Sequence, residues 1–221
     1  MKKILHLLLL PLFLITSCSK EATDSFKIEG LVRDEITLKP IPGVEIFASA
    51  VSGVGFGRNE NVGQAITDAD GYYKLKLKVF KGAERLDLYV NGGSVKEGYN
   101  EIQQSLYPPA STVVDFKLSP TAILKIKFKN ISPVSDKDFF YFWSDETAGK
   151  GLISKEICGT VMPSDAYTWT GKDVCGIQTI EKLAERFTRI YWAVTKNNII
   201  TNYRDSVYVK RGVINEFSIN Y

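Results

Sequence analysis

From Phe26 to its end, the chain alternates apolar and polar residues with a period of two. Tyr73, Leu75, Leu77 and Val79 fall on one side of such a segment, and Lys74, Lys76 and Lys78 on the other. Leu86, Leu88 and Val90 repeat the pattern around Asp87 and Tyr89, and Ala122, Leu124, Ile126 and Phe128 alternate with Lys125, Lys127 and Lys129. A strand sends successive side chains to opposite faces, so this pattern predicts antiparallel sheets with one covered face. Many short strands separated by turns predict sandwiches. Only Thr179 to Phe187 has helical spacing, with Ile180, Leu183, Ala184 and Phe187 on one side, and it predicts one short helix near 179–187. A strand over Val113 to Leu118 ends at Ser119-Pro120-Thr121, which sets a boundary. The prediction is therefore all-β, with two tandem β-sandwiches over 26–119 and 120–221. In the second, strands are expected at 121–130, 138–144, 188–197, about 205–210 and 213–220.

The first 25 residues follow a different rule. Lys2 and Lys3 precede an apolar run from Ile4 to Ile15, too short for the roughly 20 helical residues that span a bilayer. Length and flanks predict a secretory signal over 1–17. Leu14-Ile15-Thr16-Ser17-Cys18 resembles a bacterial lipobox, which implies a lipidated Cys18 and a short polar tether over 18–25. Several acyl chains on one cysteine would anchor stably where a single myristoyl would not. Ser19-Lys20-Glu21 resembles the surface-export signal of Bacteroidetes-type lipoproteins, although the usual second acidic residue is missing. The resemblance implies an outer-membrane protein, lipid-anchored and displayed outward, whose first partner is the membrane itself.

Removing residues 1–17 changes what composition implies. The remaining 204 residues lose Lys2, Lys3 and the lone histidine, His6, and carry a net charge of +1. Without histidine, Ser-His-Asp and Cys-His catalysis, HExxH zinc sites and histidine pH switches are excluded. A nearly neutral chain carries no global signature of nucleic-acid binding. In an oxidising compartment Cys158 and Cys175 are expected to pair, closing a loop for which chain entropy gives about 3 kcal/mol. Two thiols without histidine make an incomplete zinc set, so no metal and no cofactor are expected.

The first half carries a family likeness. Gly30-Leu31-Val32-Arg33-Asp34, Thr37 and Pro40-Ile41-Pro42-Gly43-Val44 lead into a strand over Glu45 to Ala50, and Thr67-Asp68-Ala69-Asp70-Gly71-Tyr72 follows. This pattern resembles the carboxypeptidase regulatory-like domain, a prealbumin-like seven-stranded sandwich. The likeness implies a non-catalytic module that props, spaces or presents something else. Two departures stand out: a longer glycine-rich loop between Ala50 and Gly63, and a polar strand after Tyr99. The ending, from Asp205-Ser206-Val207-Tyr208-Val209 to Glu216-Phe217-Ser218-Ile219-Asn220-Tyr221, loosely resembles the Ig-like C-terminal sandwiches of two-domain surface lipoproteins of uncharacterised function.

Several segments invite chemistry. Asp68 and Asp70 supply only two carboxylates of the five or so oxygen ligands a calcium loop needs, and they read as turn residues. Gly53-Val54-Gly55-Phe56-Gly57 opens no helix, so it lacks the N–H cradle of a phosphate loop. In Phe139-Phe140-Tyr141-Phe142-Trp143 one alternate set fills a core, and the other is either covered by the 158–175 loop or exposed as a platform. Trp169, with Tyr167 and Asp173 on that loop, would either stack against a sugar or fold back to plug the sandwich end. Trp192 reads as core. The lysine combs at 74–78 and 125–129 read as solvated strand faces, with contact to anionic lipopolysaccharide as the alternative. Asp205-Ser206-Val207 matches a short O-glycosylation motif. Asp136 with Asp138, and Asp145 with Glu146, lack any element that would make them converge as glycosidase carboxylates do.

The expected function is a non-enzymatic surface lipoprotein. Its ligand-binding candidates are Trp169, Tyr167, Asp173, Tyr141 and Trp143, and its partner an oligosaccharide or an outer-membrane protein in a glycan-capture assembly. The alternative is a structural subunit of a fimbria-like surface assembly, joined by exchange of the strand over Val213 to Asn220.

Overall fold

The computed structural model describes residues 23–53, 57–90, 98–145, 151–158 and 167–221; the signal peptide and Cys18 lie outside them. The described residues are all-β and contain no helix. The N-terminal half holds β1 (Thr23–Asp34), β2 (Glu45–Val51), β3 (Asn59–Ile66), β4 (Tyr72–Phe80), β5 (Arg85–Val90), β6 (Ile102–Leu106), β7 (Thr112–Val113) and β8 (Phe116–Leu118). The C-terminal half holds β9 (Thr121–Lys129), β10 (Phe139–Ser144), β11 (Leu152–Ile157), β12 (Thr168–Thr170), β13 (Cys175–Leu183), β14 (Arg186–Lys196), β15 (Ile199–Val209) and β16 (Asn215–Asn220).

Four sheets form. β4 and β7 flank β1, with β8 also on β1, and this sheet faces the order β3-β2-β5-β6 across one core. Ile28, Tyr73, Leu75 and Leu77 from the first sheet meet Ile46, Ala48, Leu86 and Leu88 from the second. The predicted alternation over 73–79 is observed, with the lysines outward. Turn chemistry fixes the hairpin ends. Asp68 Oδ1 accepts the N–H groups of Asp70 and Tyr72, at 3.0 and 2.9 Å. Gly71 takes φ +71°, and a Cβ there would meet the Val32 carbonyl oxygen at 2.6 Å. The buried Thr67 hydroxyl donates to Ile41 and accepts from Val44, both at 2.8 Å, and so holds the Pro40–Gly43 bend against the strand.

In the C-terminal half, sheets β12-β10-β14-β15 and β11-β13-β9-β16 enclose a second core. Phe128, Phe140, Phe142 and Trp169 pack there in mutual ring contact, with Trp169 over Phe142 at 5.4 Å and 5°. Cys158 and Cys175 form a disulfide between neighbouring strands β11 and β13, with Cα atoms 5.4 Å apart. The C-terminal strand β16 pairs in parallel with β9 of its own chain from Asn215 to Asn220.

The short helix expected at 179–187 is replaced by the end of β13, a turn at Ala184-Glu185 and the start of β14. The inward side of β13 is Gly176, Gln178, Ile180 and Lys182, all buried. Two of these are polar and one has no side chain, so the period of two is masked. Phe187, which completed the helical stripe, is 67% exposed.

The halves meet at a cluster of charges. Asp34, 1% exposed, accepts from the N–H groups of Ile36 and Thr37 and from the Tyr99 hydroxyl, and faces Arg211 at 2.6 Å. Burial pushes its carboxyl up, but the Thr37 N–H, Arg211, Tyr99 and the Ile36 N–H outweigh that and hold it at about 2. Alongside, Arg186 reaches Glu35 at 3.1 Å, and Pro120 accepts from the Ala184 N–H at 2.7 Å.

Candidate binding surface

β10 pairs with β14 so that Phe140 and Phe142 face the core and Phe139, Tyr141 and Trp143 face outward. Trp143 stands directly opposite Tyr191, and β15 brings Arg204 opposite Tyr191 in turn. Cross-strand neighbours lie within contact distance of one another, so aromatic side chains in this register stack. Tyr141 and Trp143 lie 5.5 Å apart at 11°, and Trp143 and Tyr191 5.2 Å apart at 11°. Phe139 extends the row at 5.9 Å from Tyr141. The small, buried Ala193 sits opposite Tyr141, which keeps the surface shallow there.

Trp143 is 46% exposed although it stacks on two rings. Next to the row is an open depression of about 400 Å³ lined by Arg189, Tyr191, Arg204, Asp205 and Ser206. Asp145 holds the Arg189 guanidinium at 3.4 Å. The surface thus joins a shelf of stacked rings to a strip of guanidinium, carboxylate and hydroxyl groups. Such a pairing suits a ligand with an apolar face and a hydrogen-bonding edge.

The predicted site residues do not all gather here. Tyr141 and Trp143 belong to the shelf. Trp169 does not: it is fully buried against Phe140 and Phe142, with the Lys155 ammonium over its ring at 4.8 Å. Its strand β12 pairs with β10 on the same parity as Phe140, which turns the indole inward. Asp173 is exposed but lies past the far end of β12, where Gly171 donates to the Asp138 carbonyl, away from Trp143. Tyr167, 45% exposed, lines with Trp143, Leu152 and Gln178 a smaller cavity of about 130 Å³. Tyr191 and Arg204 were not among the sequence candidates. Alternation places each on a face, but only the strand register places both beside Trp143.

Among the described residues, the candidate carboxylates Asp136, Asp138 and Asp145 are each tied to separate partners. Asp138 is buried and accepts from the N–H groups of Val134 and Ser135 and from the Asn130 amide. Burial pushes its pKa up, and those donors outweigh burial and hold the carboxyl below its ordinary value. Asp136 points to solvent beside Lys172 at 3.6 Å. Glu146 lies outside the described residues. Among the described residues, no three His, Cys, Asp or Glu side chains cluster as a metal site requires.

No family model matches this chain, and no curated protein does. Among solved structures it is similar in fold to pilins. The major pilin BcpA of Bacillus cereus matches at 14% identity and a TM-score of 0.29, over 84% of this chain and 69% of that one. The shaft pilin SpaA of Lactobacillus rhamnosus GG matches at 12% identity and 0.31, over 90% and 98%. The major pilin SpaD of Corynebacterium diphtheriae matches at 12% identity and 0.32, over 83% and 65%.

Proposed function

We propose that this chain is a non-enzymatic binding protein, held at the cell surface by lipid on Cys18, with units over 26–119 and 120–221. The C-terminal unit takes an oligosaccharide on the outward face of β10, β14 and β15, in the setting of glycan capture beside an outer-membrane transporter. The observation that carries this reading is the stacked row Tyr141–Trp143–Tyr191, with Trp143 half exposed beside Arg204 and Arg189. A sugar's apolar face would lie along the exposed side of the ring row, and its hydroxyls would meet Arg204 and Ser206. The test is a glycan screen on folded protein. Trp143→Ala is expected to weaken the best glycan at least tenfold while leaving the fold intact. A screen without binders, or an unchanged affinity in Trp143→Ala, would sink the reading.

A second reading is a structural subunit of a fimbria-like assembly. It is favoured by β15, an eleven-residue edge strand exposed along most of its length. The strand offered to another copy would be β15, because β16 completes its own sheet. Detergent-resistant ladders would support assembly, and a strict monomer at high concentration would exclude it.

A further inference from the structure

We propose that the outward face of the β4–β1–β8 sheet is a docking surface for the anionic headgroup layer of a bilayer. Lys74, Lys76 and Lys78 of β4, Lys27 and Arg33 of β1 and Lys117 of β8 are all exposed. The register sets Lys76 directly opposite Lys27 and Lys78 opposite Ser25, while Lys117 is opposite Arg33. Like charges directly opposed across a sheet are unfavourable, so this face is built against its own stability. Glu29 relieves it in part: it stands directly opposite Lys74 and takes Lys27 at 2.7 Å and the Tyr72 hydroxyl at 2.6 Å. Among the described residues, Lys74, Lys76 and Lys78 form no ion pair.

The face also has a recess. An open depression of about 430 Å³ lies among Lys27, Lys76 and Lys78, with Ser25 and Ser111 on its wall. Phe26 and Leu77 make part of its lining apolar, and Glu29 already holds Lys27, so the groups offered to a phosphate headgroup at its rim are the Lys76 and Lys78 ammoniums and the two hydroxyls.

Position along the chain selects the bilayer as the source of that phosphate. The recess lies at the end of the sheet where β1 begins, since Thr23 pairs with Phe80 and Ser25 with Lys78. Cys18 precedes Thr23 by five residues, at most about 17 Å of extended chain. A lipid on Cys18 would therefore hold this end of the sheet within reach of the headgroups. Once tethered, a positive face would turn toward a negative surface within a Debye length, about 8 Å at physiological salt. The other comb behaves differently. Lys125 and Lys127 are half-buried between β13 and β16, and Glu216 takes Lys127 at 2.7 Å. The choice of the bilayer rests on the lipid proposed at Cys18, whereas the residues of the lysine face are distinct from those of the aromatic row, so vesicle binding and glycan binding can fail independently.

The test uses the chain from Ser19 onward, which retains every described strand and carries no lipid. Sedimentation is measured with phosphatidylcholine vesicles and with vesicles holding about one third phosphatidylglycerol, at about 0.1 M salt and again at about 1 M. Binding at least tenfold tighter to the anionic vesicles, lost at high salt, is expected. Lys74→Glu/Lys76→Glu/Lys78→Glu should lower it at least tenfold, and the milder Lys74→Gln/Lys76→Gln/Lys78→Gln serves if the first fails to fold. Lys125→Gln/Lys129→Gln and Trp143→Ala should bind as the parent does. Equal binding to both vesicles, retention in a folded triple variant, or full displacement by millimolar glycerol phosphate would overturn the proposal, the last by assigning the recess to a free phosphate.

Discussion

Two outward sheet faces can be set side by side. On β4 the alternate residues are lysines, and Lys27 of β1 opposes Lys76 across the register. On β10 they are aromatics, and Tyr191 of β14 opposes Trp143. Both faces belong to strands whose other side fills a core, and both arise from the same period of two. Their energetics differ in sign. Stacked rings at the surface shield one another from water and add a little stability. Opposed ammonium groups repel, and long lysine stems keep their charges solvated instead of packing. One face holds together without a partner, whereas the other is eased by one. The comparison also separates two indoles that the sequence offers alike as binding candidates: Trp143 is shelf and Trp169 is core.

The largest effect should come from that pair. Trp169→Ala removes a fully buried ring and is expected to destabilise the chain by about 3–5 kcal/mol, read from denaturant unfolding. Trp143→Ala should change the same measurement by well under 1 kcal/mol. A similar loss in both would erase the distinction between shelf and core. Next is the staple. Replacing Cys158 and Cys175 by serine frees a loop spanning a sequence separation of 17 and should lower stability by about 3 kcal/mol. The loss should appear in the C-terminal half, leaving vesicle binding by the lysine face unchanged in folded protein.

The junction between the halves titrates. Because the Asp34 carboxyl is held at about 2, below its ordinary 3.8, its stabilisation is complete above about pH 4 and is lost as pH falls through 2. Asp34→Asn should remove about 2 kcal/mol at pH 7 and flatten that acid limb, as followed by thermal unfolding across pH 2–7. The smallest effect has the opposite sign. Lys76→Glu sets opposite charges across from each other at Lys27 and should stabilise by a few tenths of a kcal/mol, while weakening binding to anionic vesicles. A destabilised Lys76→Glu would show that the lysine face is not under repulsive load.

Much of the fold was legible because period and punctuation are local. The strands around Tyr73–Val79, Leu86–Val90 and Ala122–Phe128 announce themselves by alternation, and Asp68-Ala69-Asp70-Gly71 announces its turn. β13 was hidden, since Gly176, Gln178 and Lys182 occupy inward positions where apolar residues would mark a strand. The strand β11 and the eleven-residue length of β15 were missed as well; β15 has exposed residues on both faces and shows no clean alternation. The disulfide was readable from cysteine count and compartment, with no knowledge of geometry.

The candidate surface was half legible. Tyr141 and Trp143 share a parity that any reader of the sequence can count, but which parity faces out depends on what covers the other. Tyr191 and Arg204 enter only through pairing between strands some 50 and 60 residues further along the chain. The sequence by itself determined the all-β class, the alternation that gives each sheet two unlike faces, and the pairing of its two described cysteines. Only the tertiary structure decided that Trp169 is core, that Tyr141, Trp143 and Tyr191 form one row, and that Lys27 meets Lys76. The physical reason is that periodicity is written in neighbouring residues, whereas register is set by contacts between strands far apart in the chain.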